Sequence, residues 1–300
     1  MKAMVLAAGL GTRLRPLTSI IPKALVPVGN RPVIDTVIAY IKGQGVNEIV
    51  VNAHHHHRLL VKHLDGGRPF GITIDVRVEP EILGTGGGIK NTEDFWGTEP
   101  FFVINTDILT DIDLDRAFQA HRKSGCIATL ILHNQEPFNQ IRIDGRSKIT
   151  DIAAMSQPGG LAFTGIHIID PELLGYIEAG VFSNIIDCYR GLIRSGIRIN
   201  AHVTSGHYWR DVGLIDGYML ANKEALGKKR FMKGVNCRIK APVTFKDWAV
   251  LGDHTVLEEG VEIGRSVLWT RATVKKGVKI LDSIVTGETV IHSDLINDIL

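Results

Sequence analysis

Residues 7–18 read AAGLGTRLRPLT, and residues 22–28 read PKALVPV. The first segment directly follows the apolar run MVL at residues 4–6, which predicts a buried first strand. Its two glycines leave backbone N–H groups open to a bulky anion, because no Cβ prevents close approach. Its two arginines and the lysine of the second segment add positive charge, and a guanidinium matches phosphate oxygens in pairs. The stretch therefore predicts a loop that binds polyphosphate.

This loop differs from two common phosphate-binding loops. The P-loop pattern G-x-x-x-x-G-K-[S/T] is absent, and the dinucleotide-binding pattern would need a third glycine at Leu14. Pro16, Pro22 and Pro27 exclude a continuous helix after the glycines. An ordinary glycine turn with surface cations would explain neither these prolines nor Lys23. The segment is predicted to run as an extended loop that carries cations.

The order G-x-G-T-R, Thr, Pro-Lys and Pro-Val resembles the signature of the sugar-1-phosphate nucleotidyltransferases. The resemblance extends over nearly the whole chain. It implies an α/β fold with a Rossmann-like mixed, mainly parallel sheet and helices on both faces. It also implies that a nucleoside triphosphate and a sugar 1-phosphate react to give an NDP-sugar and pyrophosphate. The loop at residues 83–88 and the stretch around Phe182 resemble those of mannose-1-phosphate guanylyltransferases and N-acetylmuramate-1-phosphate uridylyltransferases, and the sequence leaves the base and the sugar open.

The composition excludes several other classes of protein. A formal net charge of +2 with 22% charged residues gives no reason to expect nucleic acid or an anionic membrane as a partner. The three cysteines are far apart and form no C-x-x-C pair, which favours free thiols in a reducing compartment and no zinc site. The longest apolar stretches are too short to cross a bilayer. We expect a cytoplasmic protein.

Apolar periodicity predicts alternating strands and helices along the first three quarters of the chain. Apolar residues at helical spacing between 33 and 41 predict a helix behind Pro32, and residues 48–53 predict the next buried strand. This strand–helix–strand order is typical of a parallel α/β unit. Further strands are predicted at 73–78, 100–104, 127–133, 163–169 and 197–203, a hairpin at 141–152, and helices at 113–121, from 185 to about 196, and at 217–226.

A second glycine-rich segment, LGTGGG at residues 83–88, precedes a helix predicted to start near Ile89. In the family it resembles, the equivalent loop lines the nucleobase pocket. Glu79 falls at the position that faces the base edge in relatives, and a carboxylate accepts hydrogen bonds from N–H groups of guanine or uracil. The base therefore stays undecided between these alternatives.

Two aspartates are implied as the ligands of a Mg²⁺ cofactor. Asp107 follows the predicted central strand 100–104, and open α/β sheets bind ligands at the carboxyl ends of their strands. Asp211 lies in WRDVG, which resembles the family motif that closes the catalytic domain. Mg²⁺ prefers one or two carboxylates together with substrate phosphates. Thr106 stands where relatives carry glycine before the first aspartate.

The resemblance assigns the remaining site residues by position. The catalytic residues are Arg13 and Lys23. The residues implied in nucleotide binding are Leu6, Ala8, Gly9, Gly11, Thr12, Arg13, Lys23, Glu79, Gly84, Thr85 and Gly86. The residues implied in sugar binding are Asn105, Gly165 and Asn184. The family's Glu-Lys-Pro motif is replaced by SQP at residues 156–158, so the lysine that meets the sugar phosphate in relatives is missing.

Short β-branched hexads with frequent glycine begin near Val243. This six-residue period is typical of stacked β-helix coils, and many nucleotidyltransferases carry a left-handed helix of such hexapeptides. We predict a catalytic domain at 1–228, a linker at 229–242 and a hexapeptide-repeat tail at 243–300. The tail is expected to be structural or to form a homo-oligomer.

Two alternatives of other classes remain. A non-catalytic regulatory subunit could use the same pocket to bind a nucleotide sugar, although a sensor has no need for Lys23, Asp107 and Asp211 together. The repeat tail could act as an acyltransferase through His254 or His292, but it offers few coils for that activity. We favour the nucleotidyltransferase.

Overall fold

The computed structural model describes residues 1–300 and divides into two compact units. The sheet unit contains Met1–Leu10 and Thr36–Trp209, and the coil unit contains Gly11–Asp35 and Arg210–Leu300. The predicted phosphate loop is therefore divided between the units after Leu10. Each unit has its own apolar core and is described separately.

The chain forms six α-helices and 23 β-strands, and none of the helices is both long and apolar enough to cross a membrane. The helices are α1 (Val33–Gly43), α2 (His57–Leu64), α3 (Gly84–Lys90), α4 (Leu114–Ser124), α5 (Ile185–Arg194) and α6 (Ile215–Ala225). The first strands are β1 (Lys2–Leu6), β2 (Pro27–Val28), β3 (Arg31–Pro32), β4 (Glu48–Ala53), β5 (Thr73–Val78), β6 (Phe101–Asn105), β7 (Ile108–Thr110), β8 (Ala128–His133), β9 (Asn139–Ile143), β10 (Ile149–Ile152), β11 (Leu161–Ile169), β12 (Asn200–Val203) and β13 (Trp209–Asp211). The remaining strands are β14 (Phe231–Lys233), β15 (Arg238–Ile239), β16 (Thr244–Leu251), β17 (Val256–Leu257), β18 (Glu262–Leu268), β19 (Thr273–Val274), β20 (Lys279–Leu281), β21 (Ile284–Val285), β22 (Val290–Ile291) and β23 (Leu295–Ile296).

The sheet unit is organised around a mixed sheet in the order β10-β9-β11-β6-β1-β4-β5, with β8 paired to β11 and to β12. β1 pairs in parallel with β4 and with β6, and β4 pairs in parallel with β5. β11 is antiparallel to β6 and to β8. The apolar runs of the parallel strands agree with burial on both faces. As a result β1, β4 and β6 end at one edge of the sheet.

Helices cover both faces of this sheet, as predicted. On one face, Val103 of β6 lies in a buried cluster with Ile89 of α3 and Tyr189 of α5. On the other face, Phe102 packs against Phe118 of α4, with ring centroids 5.4 Å apart. Successive side chains of a strand point to opposite faces, so these contacts place α3 and α5 on one side and α4 on the other.

The predicted start of the helix near Ile89 is wrong, because α3 begins at Gly84. Glycine is a poor helix former, and the sequence therefore indicated a loop. The N–H groups of Gly86 and Gly87 donate to the Ser183 carbonyl oxygen, at 2.9 and 3.4 Å. Tertiary contact with a distant segment thus overrides the local preference.

The coil unit contains two parallel sheets, one in the order β14-β16-β18-β20-β23 with β21 beside β18, the other in the order β15-β17-β19-β22. Arg265 forms an ion pair with Asp282, which is 17 residues further along the chain, so neighbouring strands are separated by one coil. The apolar side chains of successive coils form one buried cluster that includes Leu257, Val274 and Ile291.

The structure corrects the predicted linker at 229–242. β14 pairs in parallel with β16, and β15 pairs in parallel with β17. Both β14 and β15 lie within 229–242, so this segment forms the first coil of the stack. The hexad pattern is too degenerate there to be recognised, and the backbone pairing depends on neighbours that the local sequence does not reveal.

Helix α6 and the segment 11–35 pack within the coil unit, although both lie in the predicted catalytic domain. Trp269 Nε1 donates to the Tyr218 hydroxyl of α6 at 2.8 Å, and the backbone N–H of Gly29 donates to Asn222 Oδ1 at 3.0 Å. Asn30 Nδ2 donates to the Leu251 carbonyl at 2.7 Å. These contacts join two stretches that are far apart in the sequence.

Candidate active site

The carboxyl edge of the parallel strands brings together polar residues of the sheet unit. Leu6 on β1 pairs with Asn52 on β4 and with Asn105 on β6. Gly165 of β11 has φ of 81°, and a Cβ there would lie 3.0 Å from Asn105 Nδ2 and 2.9 Å from Ile108 Cγ1. The position therefore requires glycine. The structure brings together Asn105 and Gly165, two of the residues predicted to bind sugar.

Asp107 lies just beyond β6 on a peptide that is fixed to the end of β1. The backbone N–H of Thr106 donates to the Leu6 carbonyl at 3.2 Å, and the Thr106 hydroxyl donates to the same oxygen. This hydroxyl bond gives a structural reason for threonine where relatives have glycine. Asp107 is half-buried, which leaves part of its surface open at the sheet edge.

Glu79, which the resemblance places at the edge of the base, is buried inside the sheet unit. Its side chain is 1% exposed, Oε1 accepts from Asn52 Nδ2 at 2.8 Å, and Oε2 accepts from the Leu83 backbone N–H at 3.1 Å. Asn52 is also buried, and its Oδ1 accepts from the Ala7 N–H at 2.7 Å. Sequence reasoning missed Asn52; the signal was one amide inside the apolar strand EIVVNA.

The glycines of residues 84–88 fit against protein atoms. A Cβ at Gly84, where φ is 71°, would lie 2.5 Å from the Ser183 carbonyl oxygen, and a Cβ at Gly86 would lie 2.6 Å from Ser183 Oγ. Thr85 Oγ1 accepts from the Ile185 N–H at 3.0 Å. The predicted nucleotide-binding loop is therefore held closely against the segment before α5.

Asn184 occupies the N-cap of α5 and is exposed. Its Oδ1 accepts from the Ile186 N–H at 2.9 Å and lies 3.4 Å from Thr85 Oγ1. An asparagine at an N-cap satisfies an N–H group that the helix leaves unpaired. The structure thus brings the predicted sugar residue Asn184 next to the predicted nucleotide residue Thr85.

The coil unit carries the second half of the phosphate loop. Gly11 has φ of 64°, and a Cβ there would lie 2.8 Å from Thr18 Cγ2 and 3.3 Å from Lys23 Cβ. The Thr18 hydroxyl donates to the Gly11 carbonyl at 2.8 Å. Short 3₁₀ turns at Thr12–Leu14 and Lys23–Leu25 replace any continuous helix, in agreement with the prolines.

The side chains of the predicted catalytic pair differ in exposure. Arg13 is exposed, and Lys23 is half-buried. The packing of Gly11 against Thr18 and Lys23 brings the glycine and the lysine of the motif together.

Asp211 ends β13 and belongs to the coil unit. Its Oδ1 accepts from the Gly213 N–H at 2.6 Å. The preceding Arg210 donates to both oxygens of Glu224, at 3.1 and 2.6 Å. The first bond joins the Asp211 carboxylate to the backbone that follows it, and the other two join the preceding side chain to α6. No group of three or more His, Cys, Asp and Glu side chains in residues 1–300 is arranged to hold a metal ion.

Comparison with known proteins identifies the family. The sequence model of the nucleotidyl transferase family matches residues 2–228. The chain belongs to the nucleotidyl transferase family. A relative named N-acetylmuramate alpha-1-phosphate uridylyltransferase, from Neisseria meningitidis serogroup B, is 36% identical over 72% of this chain and 94% of its own length. A UTP–glucose-1-phosphate uridylyltransferase from Synechocystis is 29% identical over 95% of this chain and 82% of its own.

Solved structures agree with the fold of this nucleotidyl transferase. HddC from Yersinia pseudotuberculosis, described in complex with GMP-PN, superposes with a TM-score of 0.64 at 23% identity. The match covers 74% of this chain and 98% of HddC. At this level of identity the similarity concerns the fold, and the α/β architecture predicted from the sequence is confirmed.

Proposed function

We propose that this nucleotidyl transferase moves a nucleotidyl group from a nucleoside triphosphate to a sugar 1-phosphate, which yields an NDP-sugar and pyrophosphate. The family match over residues 2–228 carries the proposal. The names of the two uridylyltransferases described above support it, since both act on sugar 1-phosphates. At the sheet edge, the Asn105 amide and the Asp107 carboxylate supply polar groups suited to such substrates, and Gly165 leaves room beside Asn105.

The proposed chemistry is an in-line attack of the sugar phosphate oxygen on the α-phosphorus. No covalent enzyme intermediate is needed, so catalysis consists of positioning and charge neutralisation. We assign the amides of Gly9 and Gly11, together with Arg13, to the triphosphate and the leaving pyrophosphate. Lys23 neutralises charge near the α-phosphate.

We also propose that Asp107 and Asp211 hold Mg²⁺. Both side chains offer hard carboxylate oxygens, and one or two carboxylates are what Mg²⁺ takes from a protein when phosphates supply further ligands. The ion, when bound, neutralises phosphate charge during transfer. The Gly213 N–H bond orients the Asp211 carboxylate, and the bond from the Thr106 N–H to the Leu6 carbonyl holds the peptide before Asp107.

Uracil is the base we propose first, because both sequence relatives described above are uridylyltransferases. The sugar is left to experiment. Because residues 156–158 replace the Glu-Lys-Pro motif and its lysine, either other groups meet the sugar phosphate or the sugar differs from that of the better-known hexose enzymes. We propose a cytoplasmic location, consistent with three dispersed free cysteines.

We propose that the coil unit's stack is a left-handed β-helix that joins copies of the chain. Two parallel sheets with a coil of 17 residues support a β-helix. The register between β16 and β18 shifts between Lys246 and Ala249, which is the bend expected where a chain passes from one face of a coil to the next.

Lysine replacement tests the proposed catalytic role. Pyrophosphate release from UTP is measured with Mg²⁺ and several sugar 1-phosphates. Lys23→Ala is expected to lower kcat by about 10²–10³-fold, as is typical when one charged donor is removed from a transition state. Lys62→Ala, on the exposed surface of α2, is the matched control. Equal rates for Lys23→Ala and the wild type would refute the assignment.

A further inference from the structure

Two buried polar side chains link the ends of three segments in the sheet unit. Asn52 joins the backbone of Ala7, at the end of β1, to Glu79. Glu79 continues the connection to the backbone of Leu83, which begins the glycine-rich loop. The link therefore runs from the first residue of the phosphate loop to the first residue of the second loop through two side chains.

The donor and acceptor roles in this link are fixed from both ends. Ala7 and Leu83 each present a backbone N–H, which can only donate. The Asn52 oxygen must then face Ala7, so its NH₂ group faces Glu79, and both Glu79 oxygens must accept. A glutamine at position 79 would direct an NH₂ group at one of two donors. The position requires a carboxylate.

Packing prevents the pair from rearranging. Asn52 and Glu79 are 2% and 1% exposed, so a broken bond would leave a buried polar group without a partner. A Cβ at Gly88 would lie 2.7 Å from Asn52 Nδ2 and 2.9 Å from Glu79 Oε1. His54 Nδ1 lies 2.8 Å from the Glu79 carbonyl oxygen. The pair is therefore enclosed by Gly88 of α3 and by His54, which follows the end of β4.

We propose that Asn52 and Glu79 are positioning residues that hold the start of the phosphate loop, at Ala7, and the start of the glycine-rich loop, at Leu83, at a fixed separation. The inference rests on the proposed function, and it changes the role of Glu79. The carboxylate acts through the backbone at Leu83 and does not read the base. Loss of the link is then expected to weaken turnover of every nucleoside triphosphate by the same factor.

A reciprocal pair of substitutions tests the link. In Glu79→Gln the glutamine NH₂ opposes a donor, and in Asn52→Asp a carboxylate opposes a carboxylate. In the double variant, the introduced aspartate accepts from the Ala7 N–H and from the NH₂ group of the introduced glutamine, whose oxygen accepts from the Leu83 N–H. All three hydrogen bonds are then restored, with donor and acceptor exchanged only in the bond between positions 52 and 79. We expect each single variant to lose about 10–100-fold in kcat/KM, mainly through KM for the nucleotide, and the double variant to recover most of it.

The controls separate positioning from base reading and from misfolding. Glu81→Gln, on an exposed residue of the same segment, is expected to behave as wild type. The ratio of kcat/KM among UTP, dTTP and GTP is expected to stay constant in Glu79→Gln; a changed ratio would overturn the proposal in favour of base contact. A double variant no better than the worse single variant, at unchanged melting temperature, would also overturn it.

Amide hydrogen exchange at Leu83 and Ala7 gives a readout independent of turnover. Faster exchange at both amides in the single variants, restored in the double variant, supports the link, and unchanged exchange contradicts it. If the wild type releases no pyrophosphate from any triphosphate, the proposed function fails, and the exchange data alone decide the positioning role within the fold.

Discussion

Burial controls the charge of several histidines in the sheet unit. His167 is 1% exposed and hydrogen-bonds to the Tyr189 hydroxyl, and burial lowers the pKa of His167 to about 3. Burial, followed by the charge of His207, lowers the pKa of His133 to about 4. His133 Nδ1 lies 3.1 Å from His207 Nε2. The folded state thus keeps both His167 and His133 neutral where the unfolded chain would protonate them.

Stability is therefore expected to fall as the pH falls below about 6.5. Above this value His167 is neutral in both states, and its contribution is fully present. Below it, His167 binds a proton in the unfolded chain, whereas in the folded protein it stays neutral until the pH approaches 3. One such group lowers the free energy of unfolding by about 1.4 kcal/mol per pH unit in that window.

Urea unfolding between pH 7.5 and pH 5 measures this dependence. His167→Gln retains an acceptor for Tyr189 and is expected to have a shallower dependence on pH than the wild type. His292→Gln, at an exposed position, is the control and should keep the wild-type slope. An identical slope in all three proteins would contradict this account, because it would mean that folding does not lower the pKa of His167.

Helix α3 shows how one element can depend on a distant segment. Its glycines accept the close approach of residues 181–183, and a Cβ at Gly87 would lie 2.6 Å from the Val181 carbonyl oxygen. The same glycines were expected to admit a ligand. The fold uses them to pack the start of α3 against the chain before α5.

A single methyl group at Gly87 is expected to disturb this contact. Gly87→Ala should lower the free energy of unfolding by about 1–3 kcal/mol, because a well-packed site must shift to admit the Cβ. Gly97→Ala is a matched control, since nothing lies within 4 Å of its added Cβ, and it should change stability by less than about 0.5 kcal/mol. Chemical unfolding of both variants measures the difference; equal stabilities would contradict the packing described.

Elements with strong periodicity were predictable, and those set by remote contacts were not. The apolar runs of β1, β4 and β6 identified their strands, because such runs are buried wherever they lie in a parallel sheet. The start of α3 could not be found, because the Ser183 carbonyl that accepts from its first turn is remote in the sequence.

The candidate site follows the same rule. Motif residues such as Lys23 and Gly165 were identified by their position in the sequence. The structure shows why glycine is required at Gly11 and Gly165, since an added Cβ at either position would contact neighbouring side chains. The burial of Glu79 and the role of Asn52 were not predictable. They depend on which backbone N–H groups the sheet brings to these side chains, and a linear pattern does not contain that information.

At the scale of the whole molecule, the repeats form part of a unit that includes residues from the nucleotidyl transferase segment. The family match ends at residue 228, whereas the coil unit includes Gly11–Asp35 and begins again at Arg210. Buried Tyr218 receives a hydrogen bond from Trp269 of the stack. The family match and the structural unit therefore have different boundaries in this chain. The stack packs in the same unit as the segment 11–35, which carries Lys23.

The central claim is the transfer of a nucleotidyl group to a sugar 1-phosphate, and a substrate matrix tests it most directly. The full-length protein with Mg²⁺ is incubated with UTP, dTTP, GTP, ATP and CTP, each labelled at the α-phosphate, against a panel of sugar 1-phosphates. The account predicts that, for at least one pair, the label enters an NDP-sugar with one equivalent of pyrophosphate, most readily from UTP. Tight binding of a nucleotide sugar without label transfer or pyrophosphate release from any pair would contradict it and favour a regulatory subunit.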